Sequence, residues 1–203
     1  MSLLVMWVIA YLLGSLVPGY WIGQFFYHKN LLQEGSGNIG TTNTFRVLGT
    51  KAGVVTLVLD ILKGTAAGLL PLLFHSDIHP FIVGAAAILG HTFSPWIHFK
   101  GGKAVATSAG VLLAYEPKFF WFVVLVLLLS LLLTSMVSVG SILGFLFASV
   151  YSFTYHDWIL SIIAIGLTIF VIYRHRGNVA RILDGTESLV PFGLVYWYRQ
   201  HQS

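Results

Sequence analysis

Between residues 119 and 173 the sequence carries a single charged side chain, Asp157, and that more than anything else limits how the chain can fold. A helix rises about 1.5 Å per residue, so roughly 20 apolar residues cross a bilayer's hydrocarbon core. Residues 3–27 and 52–74 are long enough for this, and 119–135, 139–155 and 158–173 stand near the lower limit. Residues 81–93 and 104–115 are shorter and meet at a polar corner, 94–103, reading either as two full helices or as a re-entrant hairpin. The expected fold is therefore an all-α, polytopic integral membrane helix bundle of seven spans, or of five spans plus a hairpin. A chain 57% hydrophobic and 9% charged is excluded from being a water-soluble globule. No internal repeat or linker breaks residues 1–203, which read as one transmembrane domain. The first apolar segment begins without positive charge and is too long for a signal-peptide core, so it is expected to remain as a span.

Charge placement gives this bundle a direction. Lys29, Arg46, Lys51, Lys100, Lys103, Arg174, Arg176, Arg181 and Arg199 all fall on one side, while the opposite loops hold Lys118. The positive-inside rule makes the first side cytoplasmic, with the N-terminus outside and the C-terminus inside. A basic membrane face favours anionic substrates or lipid headgroups. Within the second span, Asp60 and Lys63 lie three apart and are expected to face the bundle interior and neutralise one another.

Three polar stretches interrupt the apolar pattern on the cytoplasmic side. The first, residues 35–46, is Gly-Ser-Gly-Asn-Ile-Gly-Thr-Thr-Asn-Thr-Phe-Arg. Its glycines permit tight turns that bring main-chain N–H groups close to a ligand, and Ser36, Asn38, Thr41, Asn43 and Arg46 surround them with donors. This is a way to hold a phosphate, although the run alone also suits an ordinary polar loop. It is not a P-loop, since Thr41 follows Gly40 where that motif has lysine. In the second stretch, Gly101-Gly102-Lys103 leads into an apolar helix and is expected to present free N–H groups and a full charge to an anion. His91, alone, reads as a packing residue, and Lys100 as a topological one. In the third, His175, Asn178 and Arg181 follow at three-residue intervals; if the last helix continues, they project from nearby faces of successive turns. Gly185 ends that helix, and Glu187 is placed to hold Arg181 or Lys103. Residues 188–203, with Trp197 between two tyrosines, read as an interfacial tail.

Several chemistries find no support in these residues. Metal sites lack a His-Glu-x-x-His run and a cluster of cytoplasmic acids, so neither metal nor cofactor is expected. Cysteine is absent, and no histidine is followed five positions later by aspartate. Ser36 has no neighbouring base of the kind a catalytic triad uses.

Ser36-Gly37-Asn38-Ile39-Gly40-Thr41-Thr42-Asn43 with Arg46, Gly90-His91 through Lys100-Gly101-Gly102-Lys103 to Thr107, and Arg174-His175-x-x-Asn178-x-x-Arg181 to Gly185-Thr186-Glu187 resemble, in order, three signature stretches. They are those of the bacterial acyl-phosphate:glycerol-3-phosphate acyltransferases, the PlsY family. Asp60-x-x-Lys63-Gly64 resembles a further family feature, whereas Thr41 and Ala104 stand where alanine and glycine are more usual. The resemblance implies transfer of a fatty acyl group from acyl phosphate to glycerol 3-phosphate in the bacterial inner membrane. The products would be lysophosphatidic acid and inorganic phosphate, formed directly and without an acyl-enzyme. It implies catalytic roles for Ser36, Lys103, His175 and Asn178. Substrate-binding roles fall to Gly37, Asn38, Gly40, Thr41, Asn43, Arg46, Gly101, Gly102, Thr107, Arg181 and Glu187. Partners would be the two substrates, the bilayer and the soluble enzyme that makes acyl phosphate, with no nucleic acid. A transporter for a phosphorylated anion is the rival reading, because it would use the same glycines and positive charges.

Overall fold

The computed structural model describes residues 2–201; Met1 and the last two residues of the expected tail lie outside the described residues. Among the described residues every regular element is helical. The chain forms two compact units, one ending at Pro117 and the other starting at Lys118.

In the first unit, α1 (Leu3–Ser15) and α2 (Pro18–Phe26) together make one segment long and apolar enough to cross a membrane. Pro18 opens α2 and lacks the N–H that would continue the hydrogen-bond ladder, so the segment breaks at Leu16 and Val17. The stretch expected as a polar loop holds a short helix, α3 (Thr41–Leu48), which begins at Gly40 and ends at Gly49. Next come α4 (Thr50–Gly68), the brief α5 (Leu70–Leu73), α6 (Pro80–Thr92) and α7 (Val105–Tyr115). A Cβ on Gly64 would fall on the Thr107 carbonyl oxygen, and one on Gly110 on that of Ile61. The α4 and α7 backbones therefore touch, as small residues allow between membrane helices.

In the second unit, α8 (Pro117–Thr134), whose first residue closes the first unit, is followed by α9 (Val137–Ser152), α10 (Trp158–Arg174), α11 (Arg176–Leu183) and α12 (Leu194–Gln200). Aromatic rings join α8 to α9, with Phe122 and Tyr151 stacked at 4.3 Å. A polar seam joins α9 to α10: Ser149 and Thr168 hydroxyls lie 2.7 Å apart, and Thr168 also donates to the Phe145 carbonyl at 2.9 Å.

Four helical segments among the described residues are long and apolar enough to cross a membrane: Leu3–Phe26, Pro80–Ile97, Pro117–Thr134 and Val137–Tyr155. A fifth is added if Trp158–Arg174 and Arg176–Leu183, bent by 57°, count as one span. The segment expected over 52–74 does form a helix, but Lys51, Asp60 and Lys63 keep α4 out of this set. Helix α7, with 11 residues, is shorter than the roughly 20 residues of a straight span.

Candidate active site

The first polar stretch is organised by Asn43, a buried side chain on α3. Its Oδ1 accepts the Ser36 N–H at 2.8 Å, and its Nδ2 donates to the carbonyls of Asn38 at 2.8 Å and Glu34 at 3.0 Å. Asn43 is thus tied to its own loop, and it gives the loop its shape. Gly35 passes directly beneath it with φ +61, so a Cβ there would fall on Asn43 Oδ1. Asn38 Oδ1 accepts the Gly40 N–H at 2.9 Å and brings the chain into α3. Ser36 and Gly37 are left exposed on the loop, and Arg46 is exposed one turn beyond Asn43, with Nη1 3.4 Å from Asn43 Oδ1. Thr41 is half-buried, and its Oγ1 is enclosed without a hydrogen-bond partner.

The second stretch is folded by its own backbone. His98 and Phe99 both take left-handed φ, after which Gly101 N–H donates to the Thr92 carbonyl at 3.0 Å and Gly102 N–H to that of His91 at 3.1 Å. The free glycine N–H groups expected here are therefore not free, because the chain doubles back onto the end of α6. What the glycines supply is close approach: a Cβ would fall on the His91 carbonyl oxygen at Gly101 and on His91 Nε2 at Gly102. The half-buried Lys103 follows, and Ala104, at φ 60 and ψ 12, starts α7. That left-handed backbone is one that glycine adopts more readily than alanine. Thr107, one turn into α7, is buried with an unpartnered Oγ1.

These two stretches meet within the first unit. Ile39, inside the first, and Ile97, inside the second, pack with Val17 at the α1–α2 break. Ser94 Oγ donates to the Ser15 carbonyl at 2.6 Å, and Trp96 Nε1 to Ser15 Oγ at 3.0 Å. Beneath them the expected neutral pair is present: Lys63 Nζ lies 2.8 Å from Asp60 Oδ1, both buried.

The third stretch belongs to the second unit and departs from a continuous helix. The axis bends by 57° between α10 and α11, and His175 stands at the bend as the N-cap of α11, its carbonyl accepting the Asn178 N–H at 2.8 Å and that of Val179 at 2.9 Å. Its Nδ1 lies 2.8 Å from the Val171 carbonyl, which can only accept, so Nδ1 carries a proton and donates it there. Gly185, at φ +70, reverses the chain and returns Glu187 to α11. There the buried Glu187 accepts from Asn178 Nδ2 at 2.6 Å and Ser138 Oγ at 2.7 Å through Oε1, and from Arg181 Nε at 2.8 Å through Oε2. Burial pushes the Glu187 carboxyl up, but these hydrogen bonds and the Arg181 charge outweigh it and hold the group below its usual range. Arg181, one of the partners expected for Glu187, is found in this cluster.

Ser138 was not foreseen, since nothing local marks a serine at the start of α9 as the support of a residue 49 positions later. The segment after Glu187 is anchored at Ser135, whose carbonyl accepts the Val190 N–H at 2.8 Å and whose hydroxyl accepts that of Tyr196 at 3.0 Å. Trp197 and Tyr198 on α12 are exposed.

Apolar helices of membrane-crossing length, interrupted by polar elements that carry fixed positive charge, define the chain as an integral membrane helical protein. The chain matches the sequence profile of the family "Glycerol-3-phosphate acyltransferase" over residues 4–185, and it belongs to that family. It is similar to the glycerol-3-phosphate acyltransferase of Lactiplantibacillus plantarum, 55% identical over 206 residues covering 100% of this chain and 99% of the relative. It is also similar to that of Enterococcus faecalis, 50% identical over 96% of this chain and 94% of the relative. Among solved structures it resembles PlsY (YgiH), described as an integral membrane glycerol 3-phosphate acyltransferase. The glycerol 3-phosphate form gives TM-score 0.88 at 36% identity, covering 94% of this chain and 96% of that one. The lysophosphatidic acid form gives TM-score 0.84 at 36% identity, covering 93% and 95%.

Proposed function

We propose that this membrane acyltransferase moves a fatty acyl group from acyl phosphate to glycerol 3-phosphate, releasing lysophosphatidic acid and inorganic phosphate at the start of phospholipid synthesis. The observation that carries the reading is its likeness, over nearly the whole chain, to an enzyme solved in both glycerol 3-phosphate and lysophosphatidic acid forms. In the reaction a glycerol hydroxyl oxygen attacks the acyl carbonyl carbon. That C–O bond forms, the bond to the phosphate oxygen breaks, and inorganic phosphate leaves with the electron pair. Because acyl phosphate already has a good leaving group, the protein has to position two anions and stabilise developing charge, with no covalent intermediate on the enzyme.

Ser36, Gly37, Asn38, Gly40 and Thr41 contact one phosphate with Arg46, and Asn43 keeps that loop in shape. Lys103 neutralises charge beside the Gly101-Gly102 corner, with Thr107 behind it. Arg181 contacts the acceptor phosphate, His175 and Asn178 orient the attacking hydroxyl, and Glu187 holds Asn178 and Arg181 ready. The hydroxyl proton passes either to Nε2 of His175 or to a substrate phosphate oxygen. The chain is taken as one acyltransferase domain with an interfacial tail, N-terminus outside, and seven spans or five plus a hairpin. It lies in the bacterial inner membrane with its chemistry on the cytoplasmic side, where a soluble enzyme supplies acyl phosphate. The one-sided placement of its positive residues supports that orientation.

The test is purified protein with synthetic acyl phosphate and glycerol 3-phosphate. Phosphate release matched mole for mole by lysophosphatidic acid is expected. Product formed only from acyl-CoA or acyl carrier protein would overturn the donor, and silence with all three donors, combined with anion uptake into liposomes, would favour a transporter.

A further inference from the structure

A buried charge cluster in the first unit takes no part in the roles proposed above. Lys63 Nζ lies 2.8 Å from Asp60 Oδ1, 2.7 Å from His91 Nδ1 and 2.6 Å from the Leu16 carbonyl oxygen. An ammonium has three N–H donors and no acceptor, and here three acceptors surround it. Two consequences follow from that count. Asp60, whose Oδ1 also lies 3.5 Å from His91 Nδ1, supplies one negative charge to balance the ammonium, and the N–H that Lys63 gives His91 needs a lone pair on Nδ1. His91 Nδ1 is then an acceptor, and the ring proton lies on Nε2, the nitrogen that faces Gly102.

Each of the other two contacts supports one polar stretch. Leu16 is at the α1–α2 break, next to Val17, which packs against Ile39 of the first stretch. A Cβ on Gly19, in the first turn of α2, would come within 2.6 Å of the Ile39 carbonyl oxygen and 2.8 Å of Thr44 Oγ1. His91 supports the second stretch twice, since its carbonyl accepts the Gly102 N–H at 3.1 Å and its ring lies against Gly102. Stability alone does not call for this arrangement, because a buried ion pair can often be replaced by apolar side chains of similar volume at little or no loss.

We infer that Lys63 is a positioning residue: one buried ammonium, neutralised by Asp60, sets the spacing between the 35–46 loop and the Gly101-Gly102-Lys103 corner by holding Leu16 and His91 at once. The inference rests on the phosphate-handling roles proposed for those two stretches. It differs from a packing role in what it predicts for turnover. Groups displaced by about 1 Å cost on the order of 100-fold in rate even when binding persists.

The experiment compares Lys63→Met with the charge-neutral double variant Asp60→Asn/Lys63→Met in the acyl-transfer assay. The single variant leaves Asp60 without its cation and is expected to lose stability. The double variant is expected to keep its thermal unfolding temperature, and its KM for glycerol 3-phosphate within a few-fold, while kcat falls roughly 10- to 100-fold. Wild-type kcat in a folded double variant would overturn the inference. A measurement on the unmodified protein stands beside it: ¹⁵N NMR of labelled histidines should show His91 protonated at Nε2 and accepting at Nδ1, and protonation at Nδ1 would overturn the tether whether or not the variants fold. If the unmodified protein makes no lysophosphatidic acid, the proposed donor reaction fails, while the tautomer measurement still decides whether the tether exists.

Discussion

Asn178 donates its side-chain amide to Glu187 Oε1 at 2.6 Å, and that same oxygen accepts from Ser138 at the start of α9. A candidate hydroxyl-orienting amide is therefore held by a carboxylate that is itself held by another helix. The second carboxylate oxygen takes Arg181, so one buried group fixes both of α11's candidate ligands.

Glu187→Ala is expected to lower kcat about 100-fold, because Asn178 and Arg181 lose the partner that orients them. Glu187→Gln keeps an acceptor for one of them and should lose less. Kinetics of the two variants check this order, and equal activity in Glu187→Ala and wild type would remove the positioning role.

The depressed pKa of Glu187 gives a pH dependence of defined sign. A carboxyl whose folded pKa lies below its unfolded value contributes stability that is fully present above the unfolded value, about 4.3 for glutamate, and lost as pH falls through the folded one. The gap in thermal unfolding temperature between wild type and Glu187→Gln should stay constant from neutral pH to about pH 5 and close in more acid buffer. A gap that widens on acidification would contradict the hydrogen-bond assignment.

Ala104 occupies a left-handed backbone conformation that glycine adopts without a Cβ clash. Ala104→Gly is expected to stabilise the protein by about 0.5–1 kcal/mol, the relief of strain exceeding the extra chain entropy of glycine. Thermal unfolding in detergent measures it, and a lower unfolding temperature would count against the conformation.

Arg46→Ala and Lys103→Ala should each raise the barrier by at least ~2 kcal/mol, the scale of a charge-assisted hydrogen bond to phosphate. Both are measured as kcat/KM with folding confirmed by size-exclusion chromatography. Wild-type rates in either variant would remove that residue from the site.

Ser36→Ala should lose most activity without any acyl-enzyme being trapped in the wild type. Mass spectrometry of the protein quenched during turnover checks this, and an acyl group on Ser36 would replace direct transfer with a two-step reaction.

Much of this molecule was legible in residue order because the causes were local. Uncharged runs long enough to cross a bilayer determined that the protein is helical and membranous, and Gly185 was readable as a helix stop because glycine tolerates the left-handed turn it makes. The residue types of the polar stretches suggested a phosphate site, the reading on which the proposed function draws. Asp60 and Lys63 were readable as a pair because three positions along a helix bring side chains together. The sequence by itself therefore determined the class of protein and nominated the residues proposed for its chemistry.

Only the tertiary structure decided how those residues are supported. Three-residue spacing suggested a continuous helix through His175, but the chain bends there. A Gly-Gly corner suggested free amides, but those amides bond to the end of α6. Lys63 with His91, Leu16 with Lys63, and Ser138 with Glu187 are 28, 47 and 49 positions apart, too far for any local pattern to encode. Helical periodicity reports which side chains share a face, and it contains nothing about which face of another helix will meet them. That meeting depends on backbones packed at glycine contacts, where a missing Cβ lets two chains touch and brings distant polar groups within hydrogen-bonding distance.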